Sequence, residues 1–311
     1  MPLPEDPSPE PITVLSRGSE PFFYGGQAVV EGVLMRGPRS YAVAVRKRNS
    51  GEIVLDQGEL TGGLYTGRLW KLPFVRGLAL LAEQMHLGMR SLIWSAGVSA
   101  GDQDVNIGRG QIAVTMAIAV AASLLLFIGL PLLGAGFAVR HSGSAWFVVV
   151  EGLIRVGLVI GYLLLIGATA DVRRVFQYHG AEHKTINAFE SGWPLEVPHV
   201  RRASLLHPRC GTGFLVVVVV VSVLVFGLVA LVHPNWPELI LSRVIGVPVI
   251  AGLSYECIRF MARHRLNPVV AVLLIPVLAT QRLTTREPQD DMLEVALAAF
   301  QAVRRAERAL A

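Results

Sequence analysis

The chain has 311 residues, 52% of them hydrophobic and only 16% charged, with a formal net charge of +5. Soluble domains carry roughly a quarter charged residues, and the mean hydropathy here is +0.52, which excludes an ordinary soluble enzyme. No basic stripe with interleaved aromatics appears, which excludes nucleic acid as a partner, and two cysteines, Cys210 and Cys257, make no disulfide framework. Apolar runs of about 18 residues or more instead predict an α-helical polytopic membrane protein with about four transmembrane helices. A small N-terminal antiparallel β element and cytoplasmic amphipathic helices complete the expected fold.

Residues 1–21, rich in Pro, Glu and Ser, read as a disordered tail rather than a signal peptide. Residues 22–70 form a Gly-rich β element. Gln27 to Met35 reads as one strand, on which Gln27 and Glu31 share a face, Glu31 as an edge or solvent-facing carboxylate. Tyr41 to Arg46 and Glu52 to Leu55 read as further strands around an Asn49-Ser50-Gly51 turn. Residues 71–110 hold an amphipathic or membrane-associated helix and a linker. Arg76, Glu83, His86 and Arg90 fall on one helical stripe in otherwise apolar surroundings. That suits a helix in the interface, one packed inside a bundle, or a poor spanning helix.

The spans follow in pairs. Residues 111–170 contain Ile112 to Ala138 and Ser144 to Ala170, the second carrying Glu151 and Arg155 one turn apart. Residues 214–260 contain Phe214 to Val232 and Leu239 to Phe260, the latter with Arg243 and Glu256. Between the pairs lies a polar site loop, residues 171–213. Within residues 261–311, Asn267 to Ala279 reads as re-entrant or interfacial and Asp290 to Ala311 as an amphipathic helix. Of the lysines and arginines, eleven precede Gln111, six lie in the central loop and eight follow from Arg259. That asymmetry predicts a multi-pass plasma-membrane protein with both termini cytoplasmic. The β element, the central loop, the end of the fourth span and the tail then share one side and can meet.

The site loop carries the chemistry. His179 and His183 are four apart with Glu182 between them, a His-x-x-Glu-His pattern in which two imidazoles bind zinc and the carboxylate serves as base. Further on, His207 and Cys210 add one nitrogen and one sulfur, a donor set that suggests a divalent metal, zinc before iron. The alternative is surface histidines and a buried thiol. Arg36, Arg209 or Arg282 suits an anionic substrate group such as a lipid phosphate.

The phrases GGQAVVEGVLMRGP at Gly25–Pro38, YHGAEHKTI at Tyr178–Ile186, HPRCGTGF at His207–Phe214, SYE at Ser254–Glu256 and QRLTTREP at Gln281–Pro288 resemble the bacterial YqhQ-like membrane family, a domain of unknown function. The resemblance covers Phe22 to Val303. It implies a membrane protein with a polar, metal-dependent site and supplies no reaction. It also draws Glu31 and Glu256 into the candidate catalytic set beside Glu182, Arg36 and Arg282. Three readings result: a metal-dependent, hydrolase-like membrane enzyme acting on a lipid or membrane-associated substrate, a non-catalytic scaffold or assembly factor, and a transporter using the intramembrane charges. The expected partners are membrane lipids and either a second copy of the chain or another membrane protein.

Overall fold

The computed structural model describes residues 24–60, 72–101, 109–139, 145–207, 210–232, 234–264 and 267–310. The expected tail, the linker after Gly101 and Arg209 lie outside them. Four strands, β1 (Gly25–Val29), β2 (Gly32–Arg36), β3 (Ser40–Arg46) and β4 (Ile53–Glu59), form an antiparallel sheet in sequential order. The single strand expected over Gln27 to Met35 is a hairpin. Val29 pairs with Gly32, so Val30 and Glu31 make the turn, and Glu31 takes a left-handed φ of 51°. The sequence hid this because both faces of the sheet are covered. Val33, Met35, Ala42 and Ala44 pack into one core, while Val29, Leu34, Tyr41, Val43 and Val45 pack into another. A strand buried on both sides loses the apolar–polar alternation that marks a half-buried one.

The helices supply those covers. α1 (Val75–Ala100) lies on one face, where Leu87 and Val98 join the core of Leu34 and Val43. α5 (Ala170–Glu190) and α10 (Asp290–Ala309) cover the other, bringing Tyr178, Ala181, Met292, Val295 and Phe300 against Met35 and Ala44. α10 is a strongly one-sided helix. Its apolar positions Met292, Val295, Ala296, Ala299, Phe300 and Val303 recur at helical spacing and are all buried.

Four stretches among the described residues are long and apolar enough to cross a membrane: Ala113–Ala138, Trp146–Gly167, Gly211–Ala230 and Trp236–Met261. The first is built from α2 (Arg109–Leu124), a π-helical turn at Leu125–Gly129 and α3 (Leu130–Ala138). The others are α4 (Ala145–Gly167), α7 (Gly211–Ala230) and α8 (Trp236–Arg263). The sequence located all four. The segment read as re-entrant or interfacial is a 17-residue helix, α9 (Pro268–Thr284), whose Val270, Leu274 and Val277 share a core with α7. Asn267 caps it through Val269 N–H, and a proline at its first turn costs no hydrogen bond.

A further correction concerns the centre of the chain. Most of the expected polar loop is helical, as α5 and the short α6 (Val197–Val200). Its polarity reflects contacts with other polar segments rather than solvent: Glu182, His183, Lys184 and Thr185 are all buried. The stripe on α1 is likewise engaged. Arg76 pairs with Glu256 of α8, Glu83 with Arg36 of β2, and Arg90 approaches Asp56 of β4 at 3.9 Å, while His86 is exposed. α1 thereby ties the sheet to a candidate span.

Candidate metal centre

The centre is assembled on one face of α5. His179 and His183, one helical turn apart, have ring centroids 4.4 Å from each other. His179 Nδ1 donates to the Thr284 carbonyl at 2.9 Å, and His183 Nδ1 donates to the Leu205 carbonyl at 2.5 Å. A carbonyl only accepts, so both Nδ1 atoms carry hydrogen and both Nε2 atoms are left as lone-pair donors when the rings are neutral. This is the second contact that orients metal-binding imidazoles. Cys210 comes from the start of α7. Its Sγ lies 3.2 Å from His179 Nε2 and 3.1 Å from Thr212 Oγ1, and it accepts the Thr212 N–H at the helix N-terminus. One donor atom from each of His179, His183 and Cys210 lies within 4.8 Å of the others, so the group could hold a metal ion.

His183 Nε2 is buried and has no hydrogen-bond partner among the described residues. A buried polar nitrogen in that state costs on the order of 1–3 kcal/mol, a cost that a bound cation removes. Two imidazoles and a thiol also match the borderline and soft donors zinc prefers.

Glu182 sits beside these donors, with Oε2 4.0 Å from His179 Nε2. Burial pushes its carboxyl up to about 7, partly opposed by the charge of His179. Close backbone approach from two sides makes the enclosure. At Gly26 of β1 a Cβ would press on the Leu34 carbonyl and on Cγ of Glu182. At Gly180 a Cβ would collide with the Arg286 carbonyl oxygen, in the segment whose Arg286 N–H bonds Phe176 O at 2.9 Å. The glycine that weakens α5 as an isolated helix is what admits this segment.

The remaining expected site residues have other partners. His207 lies outside the three-residue group. Its ring is tilted against His183 at 5.6 Å and its Nε2 is 3.9 Å from Glu190. Glu31 is not solvent-facing: its carboxylate receives Arg174 (2.5 and 2.7 Å), Arg48 (3.0 Å) and the Tyr178 hydroxyl (3.3 Å). Burial alone would raise the Glu31 pKa, but the hydrogen bonds and charges of Arg174 and Arg48 outweigh it and hold the carboxyl below the usual range. Burial pushes the neighbouring Tyr178 phenol up. Arg36 is held by Glu83, Glu256 by Arg76 and the Phe74 N–H, and Arg282 is exposed at the end of α9.

Sequence reasoning missed Gln281, which is fully buried and grips the His207 peptide at both ends, Nε2 to His207 O at 2.7 Å and His207 N to Oε1 at 2.9 Å. It also missed Lys184, which ties α5 to the Arg201 carbonyl and to Glu287, each at 2.7 Å. Gln281 opens one of the recognisable phrases, which was the available signal.

A family model described as "Protein of unknown function (DUF1385)" matches residues 72–306. The chain is 33% identical over 307 residues to "Uncharacterized protein YqhQ" of Bacillus subtilis (strain 168), covering 94% of this chain and 96% of that protein. No solved structure matches. The candidate metal donors, Glu182 and Gln281 all fall inside the matched region, and on these two matches the chain belongs to the DUF1385 family of unknown function.

Proposed function

We propose that the protein is a membrane-embedded, metal-dependent enzyme of hydrolase type, with its site at the cytoplasmic surface and a lipid or membrane-associated substrate. The observation that carries this reading is the convergence of His179, His183 and Cys210 donor atoms within 4.8 Å from two separate helices. A divalent ion there, zinc by the donor set, supplies Lewis-acid chemistry. The chain contributes the rest. The Thr284 and Leu205 carbonyls fix the two imidazoles, and the buried Glu182 carboxyl holds or releases a proton at Oε2 beside them. Arg282, exposed at the end of α9, is available to an anionic headgroup. Glu31, Arg36 and Glu256 act as positioning groups that lock α5, the sheet and α1 together.

The test is metal analysis of detergent-purified protein. Wild type is expected to carry about one zinc per chain, and His179→Ala and His183→Ala to lose it while still folding. Equal metal content in all three, or none in wild type, ends the reading. The scaffold alternative draws support from the Glu31–Arg174–Arg48–Tyr178 network, which ties the sheet to α5 around a buried carboxylate. Its sign is a stable membrane partner that co-purifies with metal-free protein. Transport has less support, because Glu151 is already closed in by Arg155 and Arg243 rather than open to a path.

A further inference from the structure

A cleft of about 200 Å³ runs between α4, α7 and α9. Its walls include Val156 and Ile160 of α4, Val216 and Val219 of α7, and Pro276 of α9. Apart from Thr212, Thr280 and Thr284 the lining is aliphatic. Thr212 to Val220 on the α7 wall is about 12 Å of helix, so the cleft is long in the direction of the candidate spans. One end is the metal centre: Thr212 Oγ1 touches Cys210 Sγ at 3.1 Å, and the Thr284 carbonyl receives His179 Nδ1.

We infer that this cleft holds an acyl chain of a membrane lipid, with the lipid's polar end at the His179–His183–Cys210 group. The inference rests on the proposed enzyme reading and names its substrate class. Polarity argues against an extended peptide. Its N–H and C=O groups would meet aliphatic walls at a cost of several kcal/mol each. The three hydroxyls have other engagements: Thr280 donates to Val277 O at 2.8 Å, Thr284 donates to Thr212 Oγ1 at 3.3 Å, and Thr212 contacts Cys210. A hydrocarbon tail asks nothing of such walls but burial.

The experiment uses the full chain in detergent and a phosphatidylglycerol carrying a photoactivatable diazirine in one acyl tail, with labelled peptides mapped by mass spectrometry. Zinc is measured on the same samples. Labelling is expected to concentrate on the cleft walls of α7 and α9 over the exposed α8 residues Leu241 and Ile245, and excess unlabelled lipid is expected to suppress it at the cleft alone. Val219→Trp, and Ile160→Trp from the opposite wall, are each expected to weaken cleft labelling roughly tenfold, the loss that excluding about two methylene groups produces. Unchanged zinc in both variants shows that they fold. Labelling spread evenly over α7, α8 and α9, or untouched by both substitutions in zinc-loaded protein, overturns the inference and leaves the metal reading standing. Cleft labelling in a wild type that binds no zinc upholds the acyl site and removes the metal reading. Preferential labelling of the cleft by a diazirine-bearing polyleucine peptide, with none by the lipid, overturns the acyl site in favour of a peptide substrate.

Discussion

Glu31 shows how much one side chain can hold when it sits at a crossing point. It occupies a left-handed turn position unusual for a residue with a Cβ, and its carboxylate collects two guanidiniums and a phenol from the turn after β3 and from α5. Backbone strain of this kind costs about 1–3 kcal/mol and persists where the surroundings over-determine it. The sign of its pH effect follows from its lowered pKa. The contribution is fully present above the ordinary carboxylate range and is lost as pH falls through the depressed folded value. Glu31→Gln is therefore expected to lower stability at neutral pH by about 1–2 kcal/mol, the modest size reflecting the partly exposed Arg174 and Arg48. The variant should also flatten the acid limb of a thermal-unfolding profile below about pH 4.5. An unchanged acid limb would place the network's energy elsewhere. None of this was legible in the sequence, because a sheet covered on both sides gives no alternation from which to place Glu31 in a turn. The candidate metal donors were partly legible. The i, i+4 spacing of His179 and His183 and the nearby Cys210 could be read directly, whereas the Leu205 and Thr284 carbonyls that orient the imidazoles are backbone groups with no residue signature. That same blindness made His207 look equivalent to the others.

At the scale of the element, α5 is the informative case. The sequence reads as a loop there because it is polar and carries Gly180 in mid-course, and both features have the same cause. The 284–288 segment, the 201–206 segment and β1 all press against it, with Asn187 Nδ2 binding the Ser204 and Leu206 carbonyls at 2.7 and 3.1 Å. Helix propensity alone predicts that Gly180→Ala gains about 1 kcal/mol. The collision with the Arg286 carbonyl predicts the reverse, a net loss of about 2 kcal/mol of the overpacking kind. Because displacing that segment also moves Thr284, zinc affinity should fall as well. Thermal unfolding and zinc titration of the purified variant check both, and a more stable variant with unaltered affinity would refute the tight approach. Gln281→Ala is expected to release the His207 peptide and raise proteolytic sensitivity around residues 204–207, since its two hydrogen bonds are what fasten that stretch to α9.

Across the whole molecule, the buried charges in the helix bundle decide whether the spans pack at all. Glu151 is paired at once with Arg155 (2.6 Å) and with Arg243. Arg155 also reaches Ser222 and the Phe127 carbonyl in the π-helical turn, and Arg243 lies 4.0 Å over the Phe226 ring. The sequence supplied the Glu151–Arg155 pair by its spacing, but nothing local could announce Arg243 across 92 positions. Removing the acid leaves two cations facing each other. Glu151→Gln is expected to cost about 3–5 kcal/mol and to lower the unfolding midpoint in detergent, while Arg243→Met, which leaves a neutral pair, is tolerated far better. Thermal-unfolding midpoints of the two variants decide it. Equal midpoints would mean that the bundle does not depend on this cluster.

The turn between β2 and β3 is pinned by Glu307, whose Oε1 accepts the Ser40 hydroxyl at 2.6 Å and the Arg39 N–H at 2.9 Å. Strands translated at the beginning thus stay half-naked until a helix 268 positions downstream emerges, after every candidate span between them has left the ribosome. For that interval the growing chain carries an unshielded greasy sheet, a hazard for long-range architectures. Nascent chains halted before residue 290 should cling to holdase chaperones, and those released at 310 should let go.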